Sequence, residues 1–169
     1  MNSDIRQAEF LTGPEKEKLF GWGVDIFGAD DLNLRWRPKD VHFLMEVDGD
    51  TVSHVGVLKH EVSVAGELVT VGGLGGVVTI PAFQRKGYAR ELMLHAAGFL
   101  RQWPVEAGLL FCLRRRVPYY ESQGWQVLKH PVIIAQPAGE MVSPLEVMVL
   151  LLGKSIWPDG EVKLNSFPW

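Results

Sequence analysis

The chain has a single cysteine, Cys112, among 169 residues. No internal disulfide can staple it, so a packed core has to hold the fold. Cys112 lies in the apolar run LLFCL and reads as a buried strand residue rather than a nucleophile. Long apolar runs are missing. The longest, VMVLLLG, is far too short to cross a bilayer as a helix. The opening MNSDIRQAEF lacks the cationic start and apolar core of a secretory leader. A cytoplasmic protein with no membrane partner is the expectation. Positive charge is not in excess: 17 Lys and Arg face 20 Asp and Glu, a net charge of -3. Nucleic-acid binders ordinarily carry a basic stripe, so no nucleic acid is expected as a partner. Internal repeats and low-complexity tracts are absent. Neither the GxxxxGK[ST] phosphate loop nor the GxGxxG dinucleotide fingerprint occurs.

What is present reads as one mixed α/β domain over residues 1–169. GPEKEKLFGWGVDIFG has helical spacing, with Pro14 near its start and two internal glycines against it. VHFLMEV, the turn pair Asp48-Gly49 and TVSHVGVLKHEVSV predict a β-hairpin. A second turn at Ala65-Gly66-Glu67 leads into LVTVGGLGGVVTI, a third strand. Gly72, Gly73, Gly75 and Gly76 interrupt it, which marks a bulge or a close approach by another group. Residues 85–101 are helical in pattern, with Tyr88, Leu92, Leu94, His95 and Phe99 as candidates for the buried face. EAGLLFCL is a short strand. A short helix over residues 117–123 stops at Gly124. WQVLKHPVIIA and LEVMVLLL read as two more strands. The order is α-β-β-β-α-β-α-β-β.

The junction of the third strand and the second helix carries the chemistry. In PAFQRKGYARELM, a strand ends at Pro81 and a helix begins within a few residues. The free amides and dipole of a helix N-terminus suit phosphate oxygens. Gly87 permits close backbone approach, and Arg85 and Lys86 add charge at the rim. A pyrophosphate cradle is one reading, and a solvated basic first turn is the other.

VVTIPAFQRKGYA resembles the acetyl-CoA motif of the GNAT N-acetyltransferases, V-x-[IV]-P-x-[YF]-[QR]-x-x-G-x-[GA], with Gln84, Gly87 and Ala89 at its signature positions. Downstream, YYESQGW resembles the family's Y-x-x-x-G-[FW] segment. The resemblance covers at least residues 43–127. It implies a GNAT fold, with antiparallel N-terminal strands and a V-shaped split between two parallel strands. Acetyl-CoA is then the co-substrate, and no metal is needed. The resemblance places pantetheine along Val77, Val78 and Thr79, and the pyrophosphate on the amides of Arg85, Lys86, Gly87, Tyr88 and Ala89. It implies direct acetyl transfer without an acyl-enzyme, and Tyr120 as the acid for the leaving thiolate. A backbone N–H near Val77 is the natural oxyanion donor.

Among these enzymes the chain resembles the aminoglycoside 2'-N-acetyltransferases, a group linked to antibiotic resistance. IFGAD is similar to an F-x-G-D segment and places Asp30 at a substrate carboxylate. WPDGEV is similar to a W-x-x-G-D-V ending and places Glu161 at a second. The glutamate that group has on the third strand is replaced by Gly75. The base therefore stays open among Glu61, Glu67, His54, His60 and a terminal carboxylate. Pro168-Trp169 either caps the pocket with an aromatic face and a free carboxylate or packs on the sheet. Arg114, Arg115 and Arg116 either reach the 3'-phosphate of coenzyme A or are solvated. Homodimers are common in the family, so a second copy is a candidate partner. The expected function is acetyl transfer to a primary amine of a small cationic substrate. A non-catalytic acyl-CoA binding module and a protein N-acetyltransferase are the alternatives.

Overall fold

The computed structural model describes residues 1–153 and 156–169. The chain opens with β1 (Ser3–Ala8), which the sequence did not announce. The segment is largely polar and none of it is fully buried, and it becomes a strand by pairing with the free edge of β2 (Val41–Val47). Between them, α1 (Gly13–Phe20) starts with a capping box in which Thr12 and Glu15 bond each other's backbone. The helix is shorter than its pattern predicts. It stops at Gly21, and Asp25 and Gly28 then adopt left-handed backbone at φ 50° and 74°.

Asp48-Gly49 and Ala65-Gly66 are left-handed pairs, with φ of 50° and 88°, then 50° and 83°. Such pairs match the twist of flanking strands and close tight hairpins. They join β2, β3 (Asp50–Val64) and β4 (Glu67–Thr79) into an antiparallel meander. Two bulges disturb it, one beside Met45/Glu46 in the β2–β3 pairing and one beside His54/Gly56 in the β3–β4 pairing.

The helix α2 (Tyr88–Gln102) begins three residues later than expected, because Arg85 and Gly87 are left-handed at φ 61° and 86°. Its inward face is Leu92, Met93, Ala96, Ala97 and Leu100, packed with Phe43, Val55 and Leu74. Leu94 and His95, expected inside, are exposed. The 3.6-residue period settles on positions 92, 96 and 100 instead. Gly72 lets Leu100 reach the sheet, since an added Cβ would lie 2.4 Å from its Cδ2.

Next come β5 (Ala107–Cys112) and α3 (Val117–Glu121). Pro131 divides the predicted fifth strand, WQVLKHPVIIA, into β6 (Gln126–Val127) and β7 (Val132–Gln136). β8 (Gly139–Val142), β9 (Glu146–Leu151) and β10 (Val162–Lys163) complete one mixed sheet. Its order runs β1–β2–β3–β4–β5–β9–β6, while β10, β7 and β8 extend from the far half of β3. No helix among the described residues is long and apolar enough to cross a membrane.

Candidate active site

β4 and β5 are parallel partners only from Val71↔Ala107 to Leu74↔Leu110. Beyond Leu74, β4 stays on β3, while β5 follows β9 through Phe111 and Cys112. The two strands therefore diverge. Gly76, in the left-handed region at φ 62°, lies in the β4 bulge just past the split. The gap widens into a cleft of about 2100 Å³ that runs from the start of α2 to the segment between α1 and β2.

Most of the sequence-predicted residues converge on this cleft. Gly75, Val77, Val78 and Thr79 line it from β4, and Gln84, Arg85, Gly87, Tyr88 and Ala89 from the turn into α2. Gln84 donates from Nε2 to the Thr79 carbonyl at 3.0 Å, which ties the turn to the strand. In α2, the first helical amide with a partner in the turn is that of Glu91, which donates to Gly87 O. The amides of Tyr88, Ala89 and Arg90 precede it and have no carbonyl one turn back, and no side chain caps them. These donors beside an open cleft fit an anionic diphosphate. Lys86 is not a lining residue; its ammonium sits 5.0 Å over the Phe83 ring. Arg116 reaches the cleft, whereas Arg115 lies against Gly28.

Tyr120, on α3, is buried and lines the opposite wall of the split. Burial raises its phenol above the ordinary value, so it stays protonated at neutral pH. Cys112 also faces the cleft, and burial pushes its thiol up to about 11. A thiol in that state is a poor nucleophile.

On the other side of β4, the place of the missing glutamate is already filled. A Cβ built on Gly75 would lie 2.9 Å from Lys39 Cε and 3.0 Å from the main-chain carbon of Trp169. Lys39 lies across Gly56 and Gly75, and burial pushes its ammonium down to about 8. Lys39 sits in the polar stretch just before β2, where nothing local signals its role.

The rim is formed by Glu9, Asp30 and Asp40 with Trp22, Phe27 and Trp36. Asp30 is fully solvated, and its neighbour Asp25 raises its pKa. Glu161 is not brought here. It is exposed at the start of β10, where its carbonyl accepts from Ala65 N at 3.1 Å, and it does not line the cleft.

Of the side chains left open as bases, only His54 lines the cleft. His60 bonds Arg37 and the Leu164 carbonyl, and Glu61 and Glu67 lie outside. His54 is 2% exposed. Its Nδ1 is 2.6 Å from Gly76 O, and its Nε2 is 2.8 Å from Nδ1 of His42, which the sequence reading passed over. Burial pushes His54 down to about 4, against the opposing bond to Gly76.

This has a measurable consequence. Between pH 6.5 and 4 the unfolded chain takes a proton on His54 that the folded chain refuses. Stability therefore falls as pH drops through that window, by about 3 kcal/mol at most. Urea melts at stepped pH should show the decline, and His54→Gln should flatten it. Among the described residues no cluster of three or more His, Cys, Asp or Glu is placed to hold a metal.

Comparison with known proteins gives this geometry its family. The family model described as acetyltransferase (GNAT) domain matches residues 27–128, which include the split, the bulge and the start of α2. No curated protein matches the chain in sequence. Among solved structures, the GNAT family N-acetyltransferase YhbS of Escherichia coli, in complex with CoA, is 15% identical with a TM-score of 0.65, over 96% of this chain and 89% of that one. A GNAT family acetyltransferase of Brucella melitensis, in complex with acetyl-CoA, is 16% identical with a TM-score of 0.57, over 95% and 94%. The ribosomal-protein-S18-alanine N-acetyltransferase of Escherichia coli is 15% identical with a TM-score of 0.55, over 93% and 100%. At these identities the structures speak for the fold, and the family model speaks for the lineage. The chain belongs to the GNAT acetyltransferase domain family, N-acetyltransferases that take acetyl-CoA as their co-substrate.

Proposed function

We propose that residues 1–169 act as one domain that moves the acetyl group of acetyl-CoA directly to a primary amine of a small cationic molecule, with aminoglycosides the first class to test. The observation that carries this reading is the divergence of β4 and β5 at Leu74/Leu110, beside the uncapped start of α2. Pantetheine would add to β4 along Val77, Val78 and Thr79 as an extra strand would. The diphosphate would rest on the amides from Arg85 to Ala89. The acetyl carbonyl would then sit at the Gly76 bulge, where a backbone N–H near Val77 steadies the developing oxyanion. Tyr120 would protonate the departing thiolate.

The acceptor enters from the rim. Glu9, Asp30 and Asp40 supply carboxylates there, and Trp22, Phe27 and Trp36 supply ring faces that attract cations. Lys39 adds a positive charge deeper in, so an acceptor's ammonium groups would stay at the rim while a single amine reaches the split.

The test is thiol release from acetyl-CoA against aminoglycosides, polyamines, amino acids and short peptides. Release with a cationic amine supports the reading. Release with peptides alone moves the acceptor to polypeptide N-termini. Stabilisation by acetyl-CoA in a thermal melt, with no release for any amine, makes the domain a binding module.

A further inference from the structure

We propose that His42 is the proton acceptor of the transfer step, held in one tautomer by His54 and the bulged carbonyl of Gly76. This rests on the acetyltransferase reading above and supplies the base that Gly75 cannot. The argument begins at the bulge. The Gly76 carbonyl can only accept, so His54 Nδ1, 2.6 Å away, carries the hydrogen. Neutral His54 then has a lone pair on Nε2, and His42 Nδ1, 2.8 Å away, must donate to it. The remaining nitrogen, His42 Nε2, is left with its lone pair. His42 lines the cleft, and Nε2 has no protein partner and is not a buried orphan among the described residues. A basic lone pair thus opens into the cleft from β2, two hydrogen bonds from the bulge.

The surroundings keep this base ready. Burial lowers the His42 pKa, the nearby charges of Lys39 and Lys16 lower it further, and Glu15 opposes them. His54 is wedged edge-on against Phe20 at 5.3 Å, so the pair cannot swing apart easily. At neutral pH His42 is unprotonated and able to take a proton.

The step balances as follows. The acceptor ammonium loses its first proton to water, and the free amine attacks the acetyl carbon. As the N–C bond forms, the nitrogen becomes positive and strongly acidic. Its proton passes to His42 Nε2, directly or through one water. The C–S bond breaks, and the thiolate takes the Tyr120 proton. Imidazolium His42 returns its proton through water to the Tyr120 phenolate. One proton is released for each amine acetylated.

Two measurements test this. In ¹⁵N spectra of the imidazoles near pH 7, both His42 and His54 should carry hydrogen on Nδ1. Hydrogen on Nε2 of His42 overturns the proposal, whether or not the acceptor is known. With an acceptor in hand, His42→Asn keeps a donor toward His54 but cannot take a proton. It should lower kcat about a hundredfold or more, remove the His42 contribution from the acidic limb of the pH–kcat/KM profile while leaving that of the acceptor ammonium, and respond to added imidazole. His54→Gln, at the positioning residue, should lower kcat with little change in acceptor KM and return His42 to a mixed tautomer. If the wild type transfers acetyl and His42→Asn turns over at its rate, His42 is not the base. If the wild type transfers nothing, the failure lies with the function, and the spectra still decide the geometry.

Discussion

Replacing Tyr120 with phenylalanine should lower kcat by about 10² to 10³-fold while acetyl-CoA binds as before. The size follows from the chemistry of the leaving group, a thiolate that departs more easily as it gains a proton. Tyr120 meets the requirements of that acid. It is buried at the wall of the split, and burial holds its phenol above the ordinary value and so protonated. Its ring packs edge-on with Tyr119 at 5.1 Å. The phenylalanine ring fills the same volume, so the fold should stay intact and the loss should appear in turnover. Tyr119 is the control: it is more exposed and lacks the spacing to Gly124, and Tyr119→Phe should leave turnover near the wild type. Steady-state thiol release and calorimetric titration with acetyl-CoA separate the two effects. Unchanged kcat for Tyr120→Phe would remove it from the acid role.

The second large effect is on stability. Trp169→Ala should cost about 3 to 5 kcal/mol. The indole is 3% exposed, although the tail that carries it had been open to two readings. It packs edge-on to Phe111 at 5.5 Å and to His60 at 5.8 Å. It also fills the face of β4 at Gly73, where an added Cβ would come within 2.3 Å of indole Cε2. Its Nε1 donates to the Leu109 carbonyl at 3.0 Å. Alanine would leave a cavity and remove the hydrogen bond to that carbonyl, and the two losses act in the same direction. Trp169→Phe should lie between, because it keeps most of the packing but not the donor. Urea unfolding reads both. A loss under about 1 kcal/mol for alanine would mean that the site collapses around the gap. Because the Trp169 main chain also covers Gly75, the same variants should loosen the acceptor side of the split.

The cleft wall proposed to take the donor was legible in the sequence because its signals are local. A strand, a Pro, a Gly with left-handed freedom and a helix start lie within a dozen residues, and each acts on its neighbours. The same holds for the Asp48-Gly49 and Ala65-Gly66 hairpins. Local patterns also misled in places. Helical spacing ran past Gly21, and Leu94 and His95 were assigned to a face that α2 turns outward.

The acceptor half depended on contacts between distant segments. Lys39 and Trp169 meet over Gly75 from positions 130 residues apart, and Glu161 is carried away from the cleft with β10. The histidine pair shows the physical reason most clearly. Counting back from Val47↔Asp50 without interruption would pair Phe43 with His54 and put His42 on the opposite face of the sheet. The bulge beside Met45/Glu46 shifts the register by one, pairing Leu44 with His54 and His42 with Gly56. A one-residue shift changes the face of every side chain beyond it. Sequence alone determined the family and its acetyl-CoA donor, and it singled out the turn proposed to hold that donor. The tertiary structure decided which side chains face the cleft, because face and register are set by strand pairing.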